Sequence, residues 1–239
     1  MEGILLDQDG AVGTIALARP PVNALDAATL KVLATVLMEP SRWFPGARAL
    51  LLRAEGPNFS AGHDRAEMGA RHDPAFLDDA VRWLGALHRA PLPIVAAVHG
   101  AAIGTGAIVA LSTDLVVAEP AARLALPEVS LGMLGGAGHA MRWLPTAWAR
   151  RLVLTGEAVT GAELASVGAV LPPEEGRDAR ATAQRLAAVL AEQPPAHLSE
   201  ARAVLRALEP DVVAVHRAEL GRSAALGAPL TSIPDAAGP

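Results

Sequence analysis

The sequence of 239 residues contains no cysteine, which excludes disulfides, thiolate nucleophiles and zinc–thiolate sites. Lysine is almost as scarce, since Lys31 is the only one, and the formal net charge is -5 at pH 7. Proteins that bind nucleic acids neutralise phosphates with clustered lysine and arginine, so this composition excludes nucleic acid as a partner. The 51% hydrophobic content is enough to form the core of one large domain, with or without a small appendage.

Secretory and membrane segments are also missing from the pattern. The first ten residues carry Glu2, Asp7 and Asp9 and no positive charge, so we see no secretory signal and expect a cytoplasmic protein. Residues 90–113 contain no formally charged residue and are long enough to span a bilayer. This stretch nevertheless holds two prolines and three glycines, and its apolar residues are largely alanine and valine. We therefore predict a buried strand, a glycine turn and a buried helix there, with no membrane contact.

The remaining pattern predicts alternating strands and helices. Short apolar or alternating runs that predict strands lie at residues 12–18, 48–53, 94–98 and 114–118. Asp26 is placed to cap a helix, Asp73 with Pro74 opens a second, and Thr160 with Glu163 has the spacing of a capping box. This order of elements predicts a layered α/β core.

From about residue 140 the pattern becomes almost wholly helical. We therefore place the core at residues 1–190 and a helical C-terminal region at residues 191–239. The last stretch, residues 227–239, is rich in Gly, Pro, Ala and Ser and is expected to be a frayed tail.

Three stretches could carry chemistry. Residues 58–68 (NFSAGHDRAEM) form a loop of small residues that could expose N–H groups after a strand. In residues 98–114, Gly104 and Gly106 would let the backbone approach a ligand at the start of a helix. Residues 127–138 set the carboxylate of Glu128 beside a glycine-rich turn. Taken alone, the first two stretches are as typical of ordinary turns, and a lone glutamate is more often a solvated surface residue.

Other protein classes that use similar glycine-rich motifs can be excluded because residues that they require are missing. The spacing of Gly100, Gly104 and Gly106 imitates the loop of short-chain dehydrogenases, but the sequence has no tyrosine for their catalytic step. The turn at residues 132–138 lacks the Lys-Ser/Thr pair of a phosphate loop. Around Ser130 the first glycine of a nucleophile elbow is missing. No histidine pair has the spacing of a metal site, so we expect no metal.

Taken in order, four stretches resemble the signature segments of the enoyl-CoA hydratase/isomerase (crotonase) superfamily. They are ARPPVNALD (18–26), FSAGHD (59–64), AAVHGAAIGTGAIVALSTD (96–114) and LPEVSLGMLGGAG (126–138). The resemblance runs from about residue 3 to about residue 190 and implies an α/β fold of the ClpP/crotonase type. That fold has a core of repeated ββα units and a helical C-terminal region, and its members form trimers or dimers of trimers.

The resemblance also implies a chemistry. Members bind an acyl-CoA thioester and stabilise the enolate that forms when charge moves onto the thioester oxygen. By motif position, the backbone N–H groups of His63 and Thr105 supply that stabilisation, and Glu128 moves the proton. The imidazole of His63 is expected to face outward. No separate cofactor is expected, because coenzyme A is part of the substrate.

The substrate would meet a further set of residues on the same resemblance. Arg19 and Arg65 are candidates for the phosphates, since guanidinium groups pair well with phosphate. The residues expected to contact the substrate are Arg19, Val22, Ser60, Ala61, Asp64, Arg65, Gly104, Ile108 and Gly136. The acyl group itself stays open, because the sequence does not reveal which of Phe76, Leu77, Leu84, Met133 and Trp143 line its pocket.

One departure from the family pattern limits the choice of reaction. Family hydratases use two glutamates to hold and activate water, and here the second position is Ile108, which can do neither. A single carboxylate favours an enoyl-CoA isomerase, which shifts a double bond without water. Alternatively, Asp64, His139 or Glu67 replaces the missing glutamate and supports hydration, decarboxylation or thioester hydrolysis, or the chain binds acyl-CoA without turnover.

The C-terminal region departs from the family pattern as well. It has no phenylalanine, tyrosine or tryptophan after Trp148, so the usual subunit contact is less secure. Leu198, Ala201, Leu205 and Leu208 form an apolar stripe that we expect to pack in the core.

Overall fold

The structure, a computed structural model, describes residues 3–70 and 74–226, and the side chains of residues 68–77 are not part of that description. The predicted helix start at Asp73, the tail at 227–239 and the side chains of Phe76 and Leu77 therefore lie outside the described residues. Within these ranges the strands are β1 (Ile4–Asp9), β2 (Val12–Leu17), β3 (Ala49–Ala54), β4 (Ile94–Val98), β5 (Ala101–Ile103), β6 (Leu115–Ala118), β7 (Arg123–Ala125) and β8 (Val159–Thr160).

The helices within the same ranges are α1 (Ala27–Met38), α2 (Pro40–Trp43), α3 (Pro74–Arg89), α4 (Thr105–Leu111), α5 (Ala137–Trp143), α6 (Thr146–Thr155), α7 (Gly161–Ser166), α8 (Ala179–Glu192), α9 (Pro195–Leu208) and α10 (Val212–Leu226). Two 3₁₀ helices span Arg65–Ala70 and Val129–Leu131. The Asp26 cap is confirmed, because its side chain accepts the Thr29 N–H. The capping box of Thr160 and Glu163 is confirmed as well.

The strands form two sheets. The larger has the order β1-β2-β3-β4-β6, with β1 antiparallel to β2 and the other neighbours parallel. Strands β2, β3 and β4 are buried along their whole length, as expected for parallel strands that are covered on both faces. The smaller sheet has the order β5-β7-β8. The predicted layered α/β class is confirmed.

Helix α8 covers one face of the larger sheet with a stripe of small residues. Ala179, Ala183, Ala187 and Ala191 recur every fourth position and are all buried in one apolar cluster with residues of the sheet. Residues four apart lie on the same side of a helix, and alanine lets that side approach the strands closely. The other face of the sheet carries the main core, which extends toward α1, α3 and α4.

Residues 90–113, the uncharged stretch, form β4, β5 and α4 with a turn at Gly100 between the strands. The prediction of a buried strand, a glycine turn and a buried helix is confirmed, with β5 as an addition. In the ranges that the structure describes, no helix combines the length and the apolar character needed to cross a bilayer.

The C-terminal helices pack on the rest of the chain in different ways. Helix α10 lies against α3 and α5. In α9 the buried residue is Arg202, whose guanidinium donates to both carboxylate oxygens of Asp114 and to the carbonyls of Ala90 and Pro91. An arginine therefore anchors this helix.

The expected core stripe on α9 was wrong. Leu205 is 60% exposed and Leu208 is 81% exposed, and Ala201 is exposed as well, while Leu198 is only partly buried. The helix turns Arg202 toward the core because four backbone and carboxylate acceptors converge on its guanidinium there. The leucines consequently lie on the outer side of this chain.

Candidate active site

The loop that carries His63 is held by two other loops. The N–H groups of Phe59 and Ser60 donate to the carbonyls of His99 and Ala101, and Ile103 N–H donates back to Ser60. These bonds fix the loop as an extra strand-like segment beside β5. The backbone of 62–64 is in turn paired with Leu25, through bonds of 2.8 and 2.9 Å. Three of the four signature stretches, 18–26, 59–64 and 96–114, therefore meet in space.

Asn23 locks the loop that precedes α1 in place. It is 3% exposed, and its side chain donates to the carbonyls of Glu55 and Asn58 and accepts from Arg19 N–H. Its φ of 54° lies in the left-handed region, which asparagine tolerates better than most residues. One buried amide thus joins the loops before α1 and after β3, which hold the site.

Close backbone contact sets His63 beside the start of α4. A Cβ on Gly62 would lie 2.6 Å from the Ile103 carbonyl oxygen and 3.6 Å from Thr105 N, so only glycine fits there. Thr105 is the first residue of α4 and follows Gly104, whose φ is 52°. First-turn N–H groups of a helix have no partner within the helix and carry partial positive charge. The residue after Gly62 and the first residue of α4 are therefore neighbours.

Glu128 lies against this helix start. It precedes the 3₁₀ helix Val129–Leu131, and its carbonyl accepts from the N–H groups of Leu131 and Met133. Its Oε1 is 3.1 Å from the point that a Cβ on Gly104 would occupy. The residue is only 9% exposed, and its Oε2 has no hydrogen-bond partner among the residues described. A buried carboxylate with an unused oxygen is thus aimed at the site.

The surroundings change the acidity of this carboxyl. Burial raises the pKa of Glu128 to about 8, because a charge is poorly solvated there, and the negative charge of Glu219 acts in the same direction. At neutral pH the group is therefore mostly protonated and can serve as an acid, while its minor ionised form is a stronger base than an ordinary carboxylate.

A cavity of about 1330 Å³ joins these groups. His63, Thr105 and Glu128 all contribute to its wall, together with parts of α1, α3, α4 and α10. Ile108, at the position of the missing glutamate, is also in the wall and is 2% exposed. The cavity is larger than the roughly 300 to 1,000 Å³ usual for a small-molecule site, so it has room for a large ligand, and Ile108 makes its wall apolar on this side.

The predicted substrate contacts separate into two groups. Ala61, Arg65, Gly104 and Ile108 line the cavity. Arg19, Val22, Ser60, Asp64 and Gly136 are not among the residues that line it, within the part of the chain described. For all nine, contact with substrate remains a prediction.

Several of the second group have structural partners instead. Arg19 pairs with Asp64 at 2.7 Å and with Asp26 at 3.2 Å. The Ala66 N–H and then Arg19 lower the pKa of Asp64, so its carboxylate is ionised and already paired. Ser60 is fully buried, and its hydroxyl donates to the Asn23 carbonyl. These contacts hold the loops together and leave Arg19 with little free charge.

The structure also places the His63 imidazole and the candidate residues of the acyl pocket. The expectation of an outward His63 imidazole was wrong, since that side chain is 13% exposed and its Nε2 is 3.4 Å from Glu67. The loop turns the ring inward because the backbone on both sides of it is tied to Leu25. Of the candidates for the acyl pocket, Met133 lines the cavity, whereas Leu84 and Trp143 do not, among the residues described.

The most informative residues that the sequence did not reveal lie on α10. Val212, His216, Leu220 and Ser223 are its buried residues, three or four positions apart. Of these, His216 and Leu220 line the cavity. Glu219 accepts the Ala137 N–H and the Ser223 hydroxyl accepts the Leu134 N–H, so α10 clamps the glycine-rich turn beside Glu128. The available signal was one histidine at helical spacing from the apolar residues Val212 and Leu220.

Comparison with known proteins identifies the family. The family model described as enoyl-CoA hydratase/isomerase matches residues 7–221. The chain belongs to the enoyl-CoA hydratase/isomerase family. The match continues past residue 190, where the resemblance seen in the sequence ends, and includes His216 and Glu219. Membership indicates an enzyme that acts on acyl-CoA thioesters.

The individual relatives are named for different activities. A (7aS)-7a-methyl-1,5-dioxo-2,3,5,6,7,7a-hexahydro-1H-indene-carboxyl-CoA hydrolase of Rhodococcus jostii is 34% identical over 92% of this chain and 87% of its own length. The 2,3-dehydroadipyl-CoA hydratase of Escherichia coli is 33% identical over 71% of this chain and 67% of its own. A crystal structure of an enoyl-CoA hydratase/isomerase from Mycobacterium paratuberculosis has a TM-score of 0.83 at 26% identity, covering 93% of this chain and 92% of that one. The crotonase fold is confirmed.

Proposed function

We propose that this protein forms an enolate from an acyl-CoA thioester and moves a proton on it with Glu128. The observation that carries the proposal is the buried carboxylate in the cavity wall, with one free oxygen and the start of α4 beside it. The N–H groups of His63 and Thr105 would hold the thioester oxygen. Donors of this kind contribute about 3 to 4 kcal/mol each in comparable oxyanion holes.

The reaction we propose first is the shift of a double bond in a 3-enoyl-CoA. Ionised Glu128 takes a proton from C2, and the electron pair moves onto the thioester oxygen. The same carboxyl then returns the proton to C4 as the double bond forms between C2 and C3. No water takes part, and the apolar side chain of Ile108 suits that requirement.

A second candidate is hydration of a 2-enoyl-CoA. It is favoured by the presence of His216 in the same cavity wall, which provides a proton acceptor that the motif positions lack. Relatives named as hydratases are in keeping with it. Decarboxylation, thioester hydrolysis and binding without turnover are the remaining outcomes that an assay panel would distinguish.

Basic side chains around the cavity suit the phosphates of coenzyme A. Lys31 of α1, Arg65 of the first 3₁₀ helix, and Arg82 and Arg89 of α3 all contribute to the cavity wall and are exposed. Arg82 also pairs with Asp79. We propose that this rim, with the only lysine of the chain, binds the phosphates in addition to or in place of Arg19.

The test of the proposed function uses a matched pair of glutamine variants. Wild type, Glu128→Gln and Glu200→Gln are incubated with 3-enoyl-CoA esters of several chain lengths, and conjugation is followed by absorbance. Glu200 is an exposed residue of α9, so its variant should behave as wild type. Glu128→Gln should lose at least about 100-fold, the lower end of what general acid–base catalysis contributes. Equal rates for Glu128→Gln and wild type would remove the proposal.

The assembly and location are also proposals. We propose a cytoplasmic homotrimer or dimer of trimers, supported by the exposed apolar side chains of Val204, Leu205 and Leu208 on α9. Light scattering of the purified protein gives the mass directly. A monomer at micromolar concentration would contradict the trimer.

A further inference from the structure

A second buried acid–base pair lies beside Glu128 and has no part in the single-carboxylate mechanism. His216 and Glu219 are one turn apart on α10, and their side chains are 6% and 13% exposed. Burying an ionisable group costs free energy unless a partner or a function offsets it. The pair therefore needs an explanation beyond packing.

His216 and Glu128 border the same small space. The point at which a Cβ on Gly135 would stand is 3.8 Å from Cε1 of His216 and 3.9 Å from the carboxyl carbon of Glu128. Because residue 135 is glycine, no side-chain atom of its own occupies this point. The imidazole and the carboxyl group are thus close enough to act on adjacent atoms of one substrate.

Glu219 is placed to orient the imidazole. Its Oε2 is 3.6 Å from Nδ1 of His216, and neither atom has a hydrogen-bond partner among the residues described. Its Oε1 is held by the Ala137 N–H at 2.9 Å. A carboxylate at Nδ1 favours the tautomer with the proton on that nitrogen and leaves Nε2 as the base.

Two other rings fix the plane of the imidazole. Trp83 of α3 and His139 of α5 both meet it edge-on, with ring centroids 6.4 and 6.2 Å away. His139 is completely buried and is not among the residues that line the cavity in the described part of the chain. It supports His216, whereas His216 itself borders the cavity.

We propose that His216 is the second catalytic group of this site, which accepts a proton from water as that water adds to a 2-enoyl-CoA, with Glu219 as its positioning residue. This inference rests on the proposed function of Glu128. It assigns the protein a hydratase activity in addition to the double-bond shift, and it gives the role of the missing glutamate to a residue of α10.

The proton balance of the addition closes within the site. The water oxygen bonds to C3, its proton passes to Nε2 of His216, and the π electrons move onto the thioester oxygen. Protonated Glu128 then gives its proton to C2 as the enolate collapses. His216 returns a proton to Glu128, so that the net change is one water added.

The test measures both reactions on the same preparations. Wild type, Glu128→Gln, His216→Ala, His216→Gln and His88→Gln are assayed with 2-enoyl-CoA for hydration and with 3-enoyl-CoA for the double-bond shift. His88 is a partly buried histidine of α3 that does not line this cavity, and it controls for loss of a buried imidazole. Thermal unfolding of each variant reports whether the fold is kept, and His216→Gln retains the polarity of the site.

We expect both His216 variants to lose hydration by at least about 100-fold and to keep the double-bond shift. Added imidazole should restore part of the hydration in folded His216→Ala, which a purely structural role would not allow. Glu219→Gln keeps an acceptor for the Ala137 N–H, and it should lower kcat for hydration with little change in KM.

Three results would overturn the inference. The first is unchanged hydration in His216→Gln. The second is a parallel fall of both reactions in the His216 variants, with no recovery when imidazole is added to His216→Ala. The third is a wild type that shifts the double bond but adds no water. Each of these leaves the role of Glu128 intact. If wild type carries out neither reaction, or if Glu128→Gln matches it in both, the proposed function itself fails.

Discussion

Oε1 of Glu128 lies 3.1 Å from the point that a Cβ on Gly104 would occupy. Because Gly104 has no side chain, the carboxylate can approach the start of α4 closely. A group that moves a proton and an N–H that stabilises the resulting charge can act on neighbouring atoms only if they are this close.

Gly104→Ala should damage both the fold and the site. Its φ of 52° is unfavourable for alanine, and the new methyl group would press on the Glu128 carboxylate. We expect a loss of about 1 to 3 kcal/mol in the free energy of unfolding. The rate of the double-bond shift should fall at least about tenfold, because reaction depends steeply on geometry. Urea unfolding and steady-state kinetics measure the two effects.

Gly176→Ala is the matched control for that variant. Gly176 has a φ of 73°, and nothing lies within 4 Å of its added Cβ. It should show the backbone cost alone and keep full activity. If Gly104→Ala were as active as Gly176→Ala, the close approach of Glu128 would have no catalytic meaning.

The two reactions should depend on pH in opposite directions. The double-bond shift needs ionised Glu128, so its kcat/KM should rise with pH and level off above about 8. Hydration needs protonated Glu128, so it should fall above the same pH. Since the charge of Glu219 helps to raise the pKa of Glu128, Glu219→Gln should move the midpoint of the rise to lower pH. A flat profile for the double-bond shift between about pH 6 and about pH 10 would contradict this.

The same carboxyl should make the folded state sensitive to pH. Its pKa rises from 4.5 in the unfolded chain to about 8 in the fold, so the unfolded state releases this proton first. Below about pH 4.5 both states are protonated and nothing is lost. Between 4.5 and 8 the wild type loses stability as pH rises, and above 8 the full cost applies.

Glu128→Gln cannot ionise and should therefore be more stable than wild type at alkaline pH. We expect a few kcal/mol above about pH 8 and no difference near pH 4. Denaturant unfolding at a series of pH values measures the gap. A gap that stays constant with pH would mean that the carboxyl is not buried in the folded protein.

Arg202→Ala should show that the C-terminal helices belong to the same folding unit as the core. It would leave the carbonyls of Ala90 and Pro91 without the Arg202 donor, and Asp114 would keep only the Ile94 N–H and Arg206. We expect a loss of about 2 to 4 kcal/mol, less than the roughly 3 to 5 kcal/mol typical of a buried charge left with no partner. Arg222→Ala, on an exposed position of α10, is the control. Unfolding of Arg202→Ala in two steps would instead favour a separate unit after residue 190.

Much of the architecture could be predicted from local pattern. The strand at 94–98 and the caps at Asp26 and Thr160 have signals that lie within a few residues of each other. Strands β5 and β7 have only three residues each, which is too short to show a period. Their existence depends on pairing with each other and not on their own sequences.

The site was only partly predictable for a similar reason. Glu128, His63 and Thr105 lie in motifs whose order along the chain carries information. His216 is far along the chain from Glu128 and belongs to no motif, and the packing of α10 on α3 and α5 brings it to the cavity. On α9, the pattern suggested buried leucines, but the acceptors around Arg202 turned the helix the other way.

The central claim is that Glu128 removes a proton from the carbon next to an acyl-CoA carbonyl. The most direct measurement is the exchange of the C2 hydrogens of a saturated acyl-CoA with D₂O, followed by NMR, because no double bond or added water is needed. We predict that wild type and Glu200→Gln catalyse this exchange and that Glu128→Gln is at least about 100-fold slower. Exchange that is absent from wild type across several chain lengths, or that is undiminished in Glu128→Gln, would contradict the account.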